Sequence, residues 1–158
     1  MTTESTAASR TVAHATFVVE RTFDASLDRV WDAFAVPEQH ARWFGSEENF
    51  TQTEAHEDFR VGGQAVQDGQ WHGGPTSRYV ATYTDIVERR RIVSTYDMWV
   101  GGEHLSTSLT TTELEEVDGG TRVTFTEQGA YLDGKDDGSQ REAGFQGILA
   151  NLAAYLAG

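Results

Sequence analysis

From Ala15 to Phe23 the side chains alternate, with Phe17, Val19 and Phe23 on one face and Thr16, Glu20 and Thr22 on the other. A period of two predicts a half-buried strand. Arg21 shares the apolar face and interrupts it. The period then lengthens. Leu27, Val30, Trp31 and Phe34 recur at i, i+3, i+4 and i+7, which predicts an amphipathic helix. Ser26 is placed to cap it, and Asp28 faces the positive end of the helix dipole. Pro37 opens a second short helix expected to run through Phe44, since proline suits a helix start.

From Asn49 onward the pattern shortens again. Glycine pairs at Gly62–Gly63, Gly73–Gly74, Gly101–Gly102 and Gly119–Gly120 separate β-rich runs. These runs are Gln64–Trp71, Arg78–Val87, Arg91–Val100, His104–Val117 and Thr121–Ala130, and they predict an antiparallel meander. Asp118 and Gly119 form the clearest hairpin turn, because both tolerate positive φ. The last segment is helical. Ser139 and Glu142 have capping-box spacing, and Phe145, Ile148, Leu149, Leu152, Tyr155 and Leu156 form one apolar stripe. A helix of about 17 residues is roughly 25 Å long, enough to cross a sheet. Residues 1–12 are expected to form a disordered, polar arm and residues 13–158 a single domain. The fold class is α+β. A curved antiparallel sheet of six to seven strands wraps around the C-terminal helix, and two short helices follow the first strand.

Composition narrows the function. With 12 basic and 25 acidic residues the net charge is -13, which disfavours nucleic acid and anionic membranes as partners. There is no cysteine, so disulfides, thiolate metal sites and cysteine nucleophiles are excluded. No run approaches the ~18 apolar residues of a membrane span, and the polar first residues do not read as a signal peptide. A cytoplasmic protein, monomer or homodimer, is the expectation.

The order of elements and several strings resemble the START-like, or helix-grip, superfamily. They are Arg21–Ala25, Val30–Phe34, Arg42–Phe44, Asp58–Gly63, Tyr83–Val87, Gly120–Gly129 and Arg141–Phe145. Its members include pollen-allergen-type ligand carriers, polyketide cyclases and a bacterial branch named after an activator of the heat-shock chaperone ATPase. Three positions depart from the common pattern. Ala25-Ser26 stands where Ala-Pro is usual, Glu127 where histidine is frequent, and Phe145 where tryptophan is frequent. The resemblance implies the fold and a cavity between sheet and helix, and it leaves carrier and catalyst both open.

Several chemistries are absent from the motifs. There is no Gly-x-Gly, P-loop or Gly-x-Ser-x-Gly. No two histidines lie three to five residues apart, so no local zinc motif exists. Asp133–Gly138 has calcium-loop features, but Lys135 and Gly144 occupy ligand positions; a turn explains the same residues. No metal and no cofactor are expected.

Glu127 is the candidate acid. It shares parity with Val123 and Phe125, so it faces the core if they do. A carboxylate there must be paired, hydrogen-bonded or protonated. It could act as general acid or base, or simply pair with Arg21. Tyr96 and Met98 are expected inside, with Asp97 outside. Trp71 and His72 form a turn that could be a lip of the cavity, and His72 could titrate near neutrality. Trp43, Tyr83, Phe125, Phe145 and Leu149 complete the expected ligand-contacting set.

Three functions follow. The first is binding of a small hydrophobic or aromatic molecule. The second is a cyclase- or dehydratase-like enzyme in which Glu127 moves a proton. The third is a chaperone-regulating interaction domain, which rests on the branch name.

Overall fold

The computed structural model describes residues 10–45 and 48–158. Ten elements follow in the order β1 (Val12–Phe23), α1 (Leu27–Ala35), α2 (Pro37–His40), β2 (Phe50–Glu57), β3 (Gln64–Trp71), β4 (Thr76–Val87), β5 (Arg91–Val100), β6 (Glu103–Val117), β7 (Gly120–Leu132) and α3 (Arg141–Ala157). All seven strands form one antiparallel sheet in the order β1-β7-β6-β5-β4-β3-β2. The chain thus begins at one edge, crosses through α1 and α2 to the opposite edge, and returns strand by strand. This is the curved-sheet, helix-grip α+β architecture. Among the described residues no helix is long and apolar enough to cross a membrane.

Alternation decides which face is inside. On β7, Thr121, Val123, Phe125, Glu127 and Tyr131 are all buried. Their partners on β1 include Phe17 and Val19, opposite Glu127 and Phe125. Against this face α3 buries Leu149 and Leu152, and α1 buries Val30, Trp31, Ala33 and Phe34. Each fully buried leucine contributes roughly 1.5–3 kcal/mol. Ser26 caps α1 as expected, its Oγ accepting from the Arg29 amide at 3.2 Å. The β6–β7 hairpin turns on Asp118 (φ 47°) and Gly119 (φ 82°), the left-handed pair that a two-residue turn requires.

Four local readings are corrected. First, the expected arm falls outside the described residues as far as residue 9, but Val12 already pairs with Leu132. Second, β2 carried no strand signal. It is an edge strand with almost every side chain exposed, held by backbone pairing to β3, so no burial pattern marks it. Third, α2 ends at His40, and the following turns bring Trp43 and Phe44 back to the His40 carbonyl. Fourth, the Ser139 capping box does not form. The Ser139 amide donates to Asp137 Oδ1 at 2.9 Å, and Gln140 takes the N-cap position without a side-chain bond.

The Ser26→Ala variant should lose about 1 kcal/mol of stability (range ~0.5–2). Urea unfolding should show a lower midpoint with an unchanged m-value. An unchanged midpoint would mean that the cap contributes nothing here.

Candidate functional site

Strand parity places Glu127 on the inner face, where it is 3% exposed. Its Oε2 accepts three hydroxyls: Tyr96 from β5 at 2.9 Å, Ser108 from β6 at 3.2 Å and Tyr131 from β7 at 3.3 Å. The Arg141 guanidinium, from the first turn of α3, stands 3.7 Å from the same oxygen. No hydrogen bond reaches Oε1 among the described residues.

Arg141 is tightly held. Its Nη1 donates to the Tyr96 hydroxyl at 2.7 Å, its Nη2 to Ser106 Oγ at 2.8 Å and its Nε to Asp136 Oδ2 at 3.1 Å. A cation in the first turn opposes the helix dipole; two carboxylates and a hydroxyl network offset that cost. Arg21, the partner expected for Glu127, is instead exposed on β1, with its guanidinium over the Phe23 ring. Asp136 and Asp137, from the calcium-like string, accept the amides of Gly138 and Ser139.

Burial pushes the Glu127 carboxyl above its usual range. The Tyr96 hydroxyl, the Arg141 charge and the Ser108 and Tyr131 hydroxyls oppose that shift without cancelling it. Burial, followed by the Glu127 charge, pushes Tyr96 and Tyr131 up as well. Both phenols therefore remain protonated donors near neutrality.

Beside this network lies a cavity of about 280 Å³ between α3 and strands β2 to β7. Its walls are chiefly aromatic. Phe125 and Phe145 stack with centroids 3.6 Å apart, Tyr79 lies 4.9 Å from Tyr96, and Phe50 lies 4.9 Å from Trp71. Glu127 and Arg141 supply its charged end. Gly144, exposed on α3, borders it, and no atom beyond its own helix turn lies within 4 Å of where a Cβ would stand.

Of the residues singled out from sequence, Trp71, Tyr96, Met98, Phe125, Glu127 and Phe145 border this cavity. Four lie elsewhere. Trp43 is 1% exposed and packs between α1 and α2, its indole donating to the Ala33 carbonyl at 3.0 Å. Leu149 is core. His72 is exposed, 2.7 Å from Thr51 Oγ1. The Tyr83 hydroxyl donates to Glu57. Asp97 points outward to His104 and Thr107. Sequence reasoning missed Arg141, Tyr79, Ser108 and Tyr131. Two signals were present: Tyr131 shares parity with Glu127, and Arg141 is a cation at the wrong end of a helix.

The sequence model of a family described as activator of Hsp90 ATPase homolog 1-like protein matches residues 24–157. Among solved structures, a Rhizobium loti protein is 45% identical with a TM-score of 0.86, the alignment covering 92% of this chain and 99% of that one. A Rhizobium leguminosarum protein is 37% identical with a TM-score of 0.89, covering 94% and 97%. An Aeromonas hydrophila protein described as like the same activator shares the fold at 22% identity and a TM-score of 0.69, covering 90% and 92%. No curated protein matches.

The raised Glu127 value has a testable sign. Its stabilising contribution is complete below the ordinary carboxylate range of about 4 and is lost as pH rises through the higher folded value. Glu127→Gln has no such proton to lose. Its stability should therefore gain on the wild type as pH rises from about 4 toward neutrality. Parallel stability–pH curves for the two proteins would refute the assignment.

Proposed function

The chain belongs to the family of activator of Hsp90 ATPase homolog 1-like proteins, and we propose that it binds a small aromatic or otherwise apolar molecule between the sheet and α3. One observation carries this reading: an aromatic-walled cavity of about 280 Å³ ends at a single buried carboxylate. Apolar pockets with few, well-placed polar groups are the usual form of small-molecule sites. The aromatic walls favour flat, apolar ligand surface, and the polar end orients it.

The polar end has a definite chemistry. Oε2 of Glu127 already accepts three hydroxyls. A proton taken up by the carboxyl therefore belongs on Oε1. Below its raised value Glu127 offers an O–H donor to a ligand carbonyl; above it, an acceptor for a phenol or amide N–H.

The same feature favours a second reading, an enzyme in which Glu127 is the general acid or base. Raised carboxyl values and a free oxygen beside a cavity suit proton transfer. The third reading, chaperone regulation, is carried by the family's name rather than by a residue of the site.

Gly144 supplies the test. Gly144→Leu should narrow the cavity from its exposed border without a clash. Affinity for a neutral apolar probe such as N-phenyl-1-naphthylamine should fall by roughly tenfold or more. The melting point should hold or rise, because removing a mid-helix glycine relieves up to about 1 kcal/mol. Unchanged probe affinity in the variant would sink the binding reading. Native mass spectrometry of the purified wild type should also show a co-purified small molecule that the variant lacks. For the enzyme reading, Glu127→Gln should slow turnover of a carbonyl substrate by ~10²–10⁴-fold with probe binding kept. Full activity in that variant would remove the catalytic role.

A further inference from the structure

A second cavity of about 220 Å³ lies between α2 and strands β2 and β3. The Phe44 ring and Gln67 border both cavities. Its distinguishing feature is a hydrogen-bonded chain of three side chains. His40 Nδ1 lies 2.9 and 3.1 Å from the two oxygens of Glu57, and the Tyr83 hydroxyl donates to Glu57 Oε2. His40 and Glu57 both line the cavity, with side chains only 14% and 10% exposed.

An ionised carboxylate can only accept, so Nδ1 carries the hydrogen and the tautomer is set. In the neutral ring Nε2 is then an acceptor. It makes no hydrogen bond among the described residues. The ring cannot easily turn: Phe44 stacks on it at 4.7 Å and Trp43 meets it edge-on at 5.0 Å.

Charge separates this cavity from the first. Glu127 has Arg141 beside it, whereas Glu57 has no arginine or lysine partner among the described residues. No arginine or lysine lines the cavity either, and Glu38 and His56 are its other titratable groups. A largely buried carboxylate therefore has only a titratable imidazole as counter-ion, an arrangement that leaves room for an external cation.

We propose that this cavity is a second ligand site that takes a primary ammonium group on a short alkyl chain. An ammonium carries three N–H donors. The Glu57 carboxylate, which lines the cavity, is the matching acceptor. Ala41, Ala55, Ala65 and Val66 provide small apolar walls for the alkyl part. The net charge of -13 raises the local concentration of cations.

The test is an NMR titration of the full chain with n-butylammonium chloride, with sodium chloride at equal ionic strength as control. The His40 ring resonances should shift saturably. Glu57→Gln removes the charge, and Ala55→Leu fills the cavity while leaving the dyad intact; both should abolish the saturable shift. Gly144→Leu, which narrows the other cavity, should leave it unchanged. Two outcomes overturn the proposal: shifts equal to those in sodium chloride, or a full response in Ala55→Leu. Should Glu57→Gln fail to fold, Ala55→Leu still decides the matter.

Discussion

A single carboxylate oxygen, Oε2 of Glu127, is the point on which the interior is organised. An unpaired ion removed from water costs several kcal/mol. Four elements converge to prevent that: β5 through Tyr96, β6 through Ser108, β7 through Tyr131 and α3 through Arg141. The arrangement accounts for two of the polar side chains that β6 turns inward, Ser108 on Glu127 and Ser106 on Arg141. That strand turns Ser106, Ser108, Thr110 and Thr112 inward while Leu109 is 39% exposed. It also ties the start of α3 to the sheet through a guanidinium, while Leu149 and Leu152 anchor the same helix in the core. Between the polar tether and the apolar anchor the helix spans open space, and that space is the aromatic cavity.

The two buried carboxylates solve one problem in different ways. Glu127 has a permanent cation and three hydroxyls, and it faces aromatic walls. Glu57 has a titratable imidazole and one phenol, and it faces small aliphatic walls. Because Phe44 borders both cavities and stacks on His40, the two cavities share a wall.

Much of this was legible in the chain. Parity along β7 put Val123, Phe125 and Glu127 on one face, and parity along β5 put Tyr96 and Met98 inside. Helical spacing found α1 and the stripe of α3. What escaped had no periodic signature. β2 buries almost nothing, so only its backbone partner defines it. Arg141 read as part of a capping sequence, because its carboxylate and hydroxyl partners lie on other elements. Trp43 and Leu149 read as cavity residues because large apolar side chains carry no mark that separates core from pocket lining.

The sequence by itself determined the elements other than β2, their inner and outer faces and the family to which they belong. Those properties follow from local periodicity and turn chemistry, which act between near neighbours. Tertiary structure alone decided that the counter-ion of Glu127 is Arg141 rather than Arg21, and that Glu57 answers to His40 and Tyr83. Pairing of charges depends on where distant strands and helices meet, and no spacing along the chain encodes that distance.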